Sequence, residues 1–370
     1  MISFRRLAIN AKFLTAGPTG VHRVAEQLIR QLAESHRGFT GLFQREPELV
    51  APTNLHMTTY DNFSVDRRGM FRGQLWEQFD LPRLTRPDLL LNLCNLGPIS
   101  ATSAITMIHD AQVFSAPSSY KPSFGRWYRA VQPILGRRHS RILTISNYAA
   151  NELVRFGVTT RERIAIVPNG VDHLLEVNPD HQIIDRLGLE RHGFIVGLAN
   201  VQPHKNVGLL VRAFAAPALA DLKLVLMGSA LREDFERAGP VSSNIVFAGR
   251  VRDEELRSLL EAALCIGFPS TTEGFGLPPL EGMTLGCPAI VAPCGALPEV
   301  CGSAAIYADA TDPAEWVSAI IRLRDDPDFR ARCVSFGRTQ ASHYTWKRAG
   351  KALVDVIKEV ANERLHQGAR

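Results

Sequence analysis

Short apolar runs alternate along this chain with segments of helical periodicity, and this alternation constrains its fold more than any other feature. In the first half, the runs that predict buried strands are residues 7–10, 88–93, 105–108, 141–145 and 163–167. In the second half, they are residues 193–197, 224–228, 245–247, 265–268 and 288–292. Strands that alternate with helices build parallel sheets covered on both faces. The sequence therefore predicts an α/β fold with two Rossmann-like, doubly wound domains whose strand ends face a ligand cleft.

The length of 370 residues suits two domains of ordinary size. We assign residues 1–175 to the first domain and residues 190–345 to the second. The polar, irregular stretch of residues 173–191 is the predicted linker between them. Residues 346–370 are predicted to contain a final helix.

Composition bears on the class of protein and its compartment. No apolar run approaches the roughly 20 residues needed to span a bilayer. The first residues lack the apolar core and the cleavage site of a signal peptide. The six cysteines form no Cys-x-x-Cys pair, which fits a reducing cytosol and does not fit a structural zinc site. We therefore expect a cytoplasmic protein.

The formal net charge of +5 is unevenly distributed. Residues 121–141 include Trp127 and Tyr128, no acid and six cations, which are Lys121, Arg126, Arg129, Arg137, Arg138 and Arg141. Such a stretch is either a solvated helix face or a surface that contacts an anionic membrane or a lipid-phosphate acceptor. Nucleic acid is not expected as a partner, because no recognised binding motif accompanies the charge.

Two glutamates, Glu273 and Glu281, bracket the segment Gly-Phe-Gly-Leu-Pro-Pro-Leu. The glycines allow tight backbone conformations, and the prolines suit the first turn of a helix. Glu273 is therefore expected in a loop after a strand, and Glu281 one turn into the next helix. Unpaired N–H groups at a helix start bind anions, whereas carboxylates suit sugar hydroxyls. The segment predicts a site for a sugar joined to a phosphate.

This segment resembles the Glu-x7-Glu motif of retaining glycosyltransferases with the two-domain GT-B fold, in the large family numbered four. The resemblance implies transfer of a sugar from a nucleoside-diphosphate donor to an acceptor hydroxyl, with retention at the anomeric carbon and without a metal or cofactor. It assigns acceptor binding to the first domain and the nucleotide sugar to the second. It also implies that the helix within residues 346–370 crosses back to the first domain.

The resemblance gives roles to the residues of the motif itself. Glu281 would hold the ribose hydroxyls of the donor. Glu273, together with the backbone amides of Phe275, Gly276 and Leu277, would orient the donor sugar and its phosphate.

Further donor contacts are implied in the second half. Lys205 lies in the segment Pro-His-Lys-Asn, which resembles the family's Pro-x-Lys-Asn segment, whose lysine holds the donor diphosphate. The family often has an arginine five positions earlier, where this chain has Asn200. The second cation is therefore open, and Arg250 or glycine-loop amides are the candidates. Arg250 and Val251 resemble the family's loop that meets the nucleotide base.

The first half contributes a histidine and a glycine loop. His109 follows a predicted strand and resembles the family histidine near the donor sugar, although a structural role is the alternative. Gly20 closes a loop at residues 17–21 that resembles the family's first glycine loop, which approaches the donor phosphate and the acceptor. This loop lacks Gly-x-Gly-x-x-Gly, so no nicotinamide cofactor is expected. Asp326 and Asp328 mimic an Asp-x-Asp metal motif, but we interpret residues 326–328 as a turn.

The substrates follow only by analogy with similar chains. Mannose or a related hexose or deoxyhexose is the favoured sugar, and a GDP-sugar is slightly favoured over a UDP-sugar. The acceptor is expected to be a saccharide or a lipid-linked saccharide in bacterial polysaccharide or glycan assembly. Two alternatives remain, which are an epimerase or phosphorylase of the same fold and a non-catalytic sugar-nucleotide-binding protein.

Overall fold

The computed structural model describes residues 4–17, 19–35, 41–237 and 239–367. These residues divide into two compact units. The first unit extends to Pro117 and also includes Lys121–Asn169 and the segment from Trp346 onwards. The second unit comprises Ser118–Tyr120 and Gly170–Thr345. Each unit is built around its own sheet, as the alternating pattern of the sequence predicts.

An eight-stranded sheet forms the centre of the first unit. Its strands are β1 (Leu7–Asn10), β2 (Glu48–Ala51), β3 (Thr59–Tyr60), β4 (Phe63–Arg67), β5 (Leu89–Asn92), β6 (Ala104–Met107), β7 (Arg141–Thr144) and β8 (Ile164–Ile166). Their spatial order is β3-β4-β2-β1-β5-β6-β7-β8, and all neighbours are parallel except β3 and β4. Strands β1, β5 and β6 are buried along their whole length, and each is apolar except for one polar residue.

The second unit contains a six-stranded, fully parallel sheet. Its strands are β9 (Phe194–Ala199), β10 (Lys223–Gly228), β11 (Ile245–Gly249), β12 (Cys265–Phe268), β13 (Ala289–Val291) and β14 (Ile306–Tyr307), in the order β11-β10-β9-β12-β13-β14. The chain order reverses between β9 and β12, as it does between β1 and β5 in the first unit. Ligands of doubly wound sheets bind beside the carboxyl ends of the strands at such a point.

Helices connect the parallel strands of both units. Those of the first unit are α1 (Gly20–Glu34), α2 (Gly73–Leu75), α3 (Leu81–Leu84), α4 (Gln112–Ser115), α5 (Pro122–Arg138) and α6 (Asn147–Arg155), with a π-helical turn at Trp76–Asp80. Those of the second unit are α7 (Gln182–Arg186), α8 (Gly208–Ala213), α9 (Arg232–Glu236), α10 (Asp253–Ala262), α11 (Leu277–Thr284), α12 (Leu297–Cys301), α13 (Pro313–Asp325) and α14 (Pro327–Ala341). Short 3-10 turns lie at Lys12–Thr15, Pro117–Ser119, Arg161–Arg163, Asp172–Leu175, Pro203–Lys205, Pro217–Leu219 and Gly302–Ala304.

The last helix, α15 (Trp346–Gln367), belongs to the first unit. Polar contacts join it to β7, because Arg141 binds Glu359 at 2.7 Å and Glu363 at 2.8 Å. Close packing joins it to α1, because a Cβ on Gly350 would lie 2.4 Å from the Cβ of Gln31. The helix therefore completes the unit in which the chain begins its first sheet.

Four strands of the structure were missed by the sequence analysis, namely β2, β3, β4 and β14. Strands β3 and β14 have two residues each, too few to show a period. Strand β4 alternates buried and exposed residues, and two of its five residues are charged. Strands β3, β4 and β14 therefore lack the continuous apolar run by which the doubly buried strands were recognised. Strand β2 does contain a buried apolar run, but it is only three residues long, at positions 49–51.

The linker predicted at residues 173–191 is instead part of the second unit, which begins at Gly170. This stretch contains α7, and ion pairs hold it against α10. Arg252 binds Asp180 at 2.6 Å, and Arg186 binds Glu255 at 3.0 Å. The stretch is polar because its contacts are ion pairs, so its composition resembled that of a linker.

A buried polar cluster lies at the carboxyl ends of β1 and β5. Glu77 is buried and accepts hydrogen bonds from Asn10 Nδ2 at 2.9 Å and from Lys12 Nζ at 2.6 Å. Asn10 Nδ2 also donates to Asn92 Oδ1 at 3.0 Å. The lysine neutralises the carboxylate, and both amides are satisfied, as buried polar groups require.

The cluster continues across the sheet to a buried histidine. Asn92 Nδ2 donates to Thr106 Oγ1 at 3.0 Å, and Thr106 Oγ1 lies 2.7 Å from His139 Nδ1. His139 Nε2 lies 3.1 Å from the carbonyl oxygen of Pro98, which can only accept. Nε2 therefore carries the proton, and Nδ1 accepts from the threonine. Burial lowers the pKa of His139 to about 4, which keeps this ring neutral at pH 7.

We predict that acid destabilises the first unit through His139. Its pKa falls from 6.5 to about 4 in the folded state, so the unfolded chain binds a proton in this range that the folded chain does not bind. The free energy of unfolding therefore falls as pH falls, by about 2 kcal/mol for this group between pH 7 and pH 5. His139→Gln, whose amide can keep both hydrogen bonds, should lose about 2 kcal/mol less over this interval in urea unfolding. Equal acid losses in both proteins would contradict the assignment.

Candidate active site

The loops after β9 and β12 bring a lysine and a glutamate into contact. Lys205 ends the 3-10 turn that follows β9, and Glu273 lies in the loop that follows β12. Lys205 Nζ donates to Glu273 Oε1 at 2.7 Å. Nζ also lies 5.7 Å from the centre of the Phe268 ring. The pair stands where the chain order of the sheet reverses, which is the ligand position of doubly wound folds.

Backbone and amide hydrogen bonds fix the lysine loop. Asn206 follows Lys205 in a left-handed conformation with φ +52°, and its Nδ2 donates to the carbonyls of Pro269 at 3.1 Å and Ala310 at 2.7 Å. The amide of Thr271 donates to the carbonyl of His204 at 2.8 Å. The two loops are therefore joined through their backbones as well as through the ion pair.

The loop after β13 supports the backbone of Glu273 directly. Gly295 has φ +63°, and a Cβ there would lie 2.4 Å from the Glu273 nitrogen and 2.6 Å from its carbonyl oxygen. The amide of Ala296 donates to that carbonyl at 2.9 Å. No side chain fits between these backbones, so glycine is required at position 295.

The start of α11 presents a row of backbone donors. Gly276 is the N-cap with φ +116°, and a Cβ there would lie 2.6 Å from Leu297. In the described part of the chain, no carbonyl accepts from the amides of Phe275, Gly276 or Leu277. The ring of Phe275 is buried edge-on against Tyr344, so its backbone is the part available for binding. Three consecutive amides at a helix start form an anion site.

Glu281 lies one turn into α11, as the sequence predicts, and it is buried. Its Oε1 lies 3.4 Å from Nε2 of His173. His173 was not recognised as a site residue, because it falls at the edge of the stretch interpreted as a linker. It belongs to the 3-10 turn Asp172–Leu175, and its contact limits the orientations open to the Glu281 carboxylate.

Arg250, one candidate for the second cation beside Lys205, follows a different strand of the sheet. Arg250 follows β11, the edge strand, and β10 lies between β11 and the strand that precedes Lys205. The Arg250 side chain is exposed, and Val251 next to it is half-buried. Asn200 accepts a hydrogen bond from the amide of Gln202 at 2.8 Å and so shapes the lysine loop. The ion partner of Lys205 is Glu273.

In the first unit, His109 follows β6 and is buried. Its Nε2 donates to the carbonyl of Leu93 at 2.9 Å, and its amide donates to Asn95 Oδ1 at 2.8 Å. Burial lowers the pKa of His109 to about 4. The ring is therefore neutral at pH 7, with Nδ1 as its acceptor. These hydrogen bonds are sufficient for a structural role of His109, and its role in the site stays a prediction.

Gly20 is the first residue of α1, behind the N-cap Thr19. The hydroxyl of Thr19 accepts from the amide of His22 at 3.3 Å. A Cβ on Gly20 would meet no atom within 4 Å, so this side of the helix start is open. Pro18, which completes the predicted glycine loop, lies outside the described residues.

The cations of residues 121–141 are not equivalent. Arg129 donates to the carbonyl of Val113 at 2.8 Å, and Arg141 is neutralised by two glutamates of α15. The exposed ones on α5 are Arg126, Arg137 and Arg138. The sequence showed a run without acids, whereas the fold brings acids to Arg141 from the other end of the chain.

The turn predicted at residues 326–328 is instead the start of α14. Asp326 is the N-cap, and its Oδ1 accepts from the amide of Phe329 at 2.8 Å. Across the described ranges, no group of three His, Cys, Asp or Glu residues is arranged to hold a metal ion. None of the described helices is long and apolar enough to cross a membrane.

Comparison with protein families identifies the class to which this fold and site belong. Residues 18–173 match the model of glycosyltransferase family 4, and residues 191–326 match that of glycosyl transferases group 1. Together the two matches cover most of both units. The chain therefore belongs to the family 4, group 1 glycosyltransferases, as its sequence motifs indicated.

Individual proteins support the same placement. The chain is 30% identical over 290 residues to the MMP alpha-(1->4)-mannosyltransferase of Mycolicibacterium hassiacum, covering 73% of this chain and 67% of that one. It is 26% identical over 272 residues to the O-antigen chain mannosyltransferase B of Escherichia coli, covering 69% and 70%. Sucrose-phosphate synthase of Thermosynechococcus elongatus superposes with a TM-score of 0.74 at 16% identity, covering 96% of this chain and 98% of that one. At that identity the likeness shows the fold alone, and the predicted GT-B fold is confirmed.

We predict that Gly295→Ala disables the site by displacing Glu273. The clash with the Glu273 backbone and the positive φ should cost roughly 2–4 kcal/mol of stability and reduce sugar transfer at least about tenfold. Gly188→Ala is the matched control, because Gly188 also has a positive φ (+58°) but its nearest neighbour, Lys223 Nζ, lies at 3.6 Å. The control should keep its activity. Equal losses in both variants would mean that backbone strain alone is responsible.

Proposed function

We propose that this protein is a hexosyltransferase that uses a nucleoside-diphosphate sugar and retains the configuration of the anomeric carbon. The observation that carries the proposal is the Lys205–Glu273 pair at 2.7 Å, close in sequence to three open amides at the start of α11. A cation and a row of N–H donors suit a diphosphate, and buried carboxylates suit sugar hydroxyls. One site thus offers complementary groups to both halves of a nucleotide sugar.

Lys205 would stabilise the negative charge of the leaving diphosphate. The partner of Lys205 in the structure is Glu273, so a bound diphosphate would take over the lysine and release the glutamate for the donor sugar. The amides of Phe275, Gly276 and Leu277 would share the charge. Groups that stabilise the charge developing in the transition state increase the rate of the chemical step.

The proposed transfer breaks the bond between the anomeric carbon and the diphosphate oxygen and forms a bond to the acceptor oxygen on the same face. The leaving diphosphate would take the proton of the acceptor hydroxyl. Glu273 would orient the donor sugar, and Glu281, which lies beside His173, would accept from the ribose hydroxyls. No covalent intermediate with the protein is required in this proposal.

The remaining predicted residues take the following roles in this proposal. His109 would accept a hydrogen bond from a sugar hydroxyl at Nδ1, since its Nε2 donates to the Leu93 carbonyl. The open start of α1 at Gly20 would approach the donor phosphate or the acceptor. Arg250 and Val251 would contact the nucleotide base.

The relatives suggest a class of sugar. Both curated relatives described above are mannosyltransferases by name, and one acts on the O-antigen chain. We therefore propose mannose or a related hexose as the transferred sugar, a GDP-sugar as donor, and a saccharide or lipid-linked saccharide of a bacterial glycan as acceptor. The proposed setting is the cytoplasm. A panel of nucleotides in a thermal-shift assay tests the donor, since a ligand at 100 times its Kd adds about 2.7 kcal/mol to stability.

We predict that Lys205→Ala and Glu281→Ala impair the enzyme in different ways. The lysine acts on charge that develops in the transition state, so its loss should lower kcat about a hundredfold or more. Loss of Glu281 should mainly weaken nucleotide binding, by roughly tenfold to a hundredfold. Steady-state kinetics with a nucleotide sugar measure both effects. Lys223→Ala is the control, because Lys223 begins β10, at the end of the strand opposite the site, and donates to the Gly188 carbonyl at 2.6 Å. Near-wild-type kinetics in all three variants would reject the site.

We predict that transfer does not need a divalent metal. Lys205 and the α11 amides would carry the leaving charge that a metal carries in other transferases. Activity should therefore survive an excess of chelator, measured as product formed from the nucleotide sugar. Loss of activity that magnesium or manganese restores would overturn this mechanism.

A further inference from the structure

The first unit exposes an apolar surface that its sequence did not reveal. Met70 is 90% exposed and Leu75 57%, and Phe71 and Phe79 are also exposed. The rings of Phe71 and Phe79 lie 6.1 Å apart. Trp127 of α5 joins this surface, because it lines a groove of about 540 Å³ together with Leu75 and Phe79. We name these five residues the apolar face.

Hydrogen bonds hold the apolar face outward. The buried Asp80 carboxylate accepts from the amides of Met70 and Phe71, both at 2.8 Å. Trp76 is fully buried, and its Nε1 donates to the carbonyl of Arg68 at 2.7 Å. Gly69, at φ +118°, passes so close that a Cβ would lie 2.5 Å from Trp76 Nε1. The exposure is therefore built into the local structure and does not result from a loose loop.

Most of the exposed charges in the two segments that carry the apolar face are positive. Residues 67–86 contain two acids, Glu77 and Asp80, and both are buried with hydrogen-bond donors. The exposed charged residues of this segment are Arg67, Arg68, Arg72, Arg83 and Arg86, of which Arg68 is paired with the half-buried Asp66 just before the segment. Arg138 lines the groove beside Trp127, and no acid occurs in residues 121–141. Exposed apolar side chains flanked mainly by cations complement an anionic lipid interface.

We propose that the apolar face docks on an anionic membrane surface. Phe71, Leu75, Phe79 and Trp127 would enter the headgroup region, and the arginines would meet lipid phosphates. The cations predicted from the sequence on α5 thus form one border of a surface whose centre is the segment from Met70 to Phe79. The proposal goes beyond sugar transfer, since it concerns where the protein works.

Trp127 gives a direct readout of docking. Of the four tryptophans, Trp76, Trp316 and Trp346 are buried, and Trp127 is 38% exposed. Vesicles of phosphatidylcholine mixed with phosphatidylglycerol should shift the tryptophan fluorescence to the blue, and phosphatidylcholine alone should not. The shift should be absent in Trp127→Phe. Higher salt should reduce binding, because it screens the arginines.

A matched pair of variants tests the apolar part. Leu75→Ser/Phe79→Ser should weaken cosedimentation with the anionic vesicles by about tenfold or more. Leu231→Ser/Phe336→Ser removes the same residue types at similar exposures, 61% and 59%, from the second unit. That control should bind vesicles like the unaltered protein. Both variants should keep the nucleotide thermal shift, which reports folding and the donor site independently of the membrane.

Several results would overturn the docking proposal. One is that the unaltered protein ignores anionic vesicles at low salt, and another is that both double variants bind equally well. A third is that the unaltered protein does not bind vesicles but forms a dimer in sedimentation velocity, and that Leu75→Ser/Phe79→Ser dissociates this dimer. A second copy of the protein would then cover the apolar face. Absence of both the nucleotide shift and sugar transfer, with vesicle binding intact, would reject the proposed enzyme function and leave the membrane surface standing.

Discussion

The candidate site depends on the ion pair between Lys205 and Glu273, which joins the loops on either side of the strand-order reversal. Both side chains are largely withdrawn from water, so either charge alone would be costly. The pair therefore needs loops that cannot drift apart. Asn206 fixes the lysine loop through two carbonyls, and Gly295 lets a third loop touch the Glu273 backbone. The two charges balance at this point, and an anionic ligand would have to compete with a carboxylate for the lysine.

Much of the fold could be predicted because strands buried on both faces are continuous apolar runs, as in β9 and β10. Strands with an exposed face or only two residues, such as β4 and β14, carry no such run. The same limit explains why residues 173–191 were wrongly predicted to be a linker. The polar contacts of the stretch before α7 come from residues far away in the sequence, since Arg252 binds Asp180 and Arg257 of α10 donates to the Val177 carbonyl. Local composition cannot show those contacts.

The site was predictable where spacing along one element determines position, as for Glu273 and Glu281 around the start of α11. His173, which contacts Glu281, and Gly295, which lies against the Glu273 backbone, come from other segments of the chain. No local sequence pattern therefore indicates them. The acid-free run at residues 121–141 was misleading for the same reason. The acids that neutralise Arg141 are more than 200 residues away, with separations of 218 and 222. Around Met70, the sequence mixes both signs of charge, and only the burial of Glu77 and Asp80 shows that the exposed charges are mainly positive.

The membership of α15 in the first unit has a consequence for synthesis on the ribosome. Nearly all of the second unit lies between Gly170 and Thr345, inside the sequence of the first. The second unit can therefore fold as soon as this continuous segment has emerged. The first unit must wait with the α15-facing surface of α1 uncovered and Arg141 without its glutamates, although its sheet was synthesised earlier. The half of the protein that is made first is thus the half that is finished last.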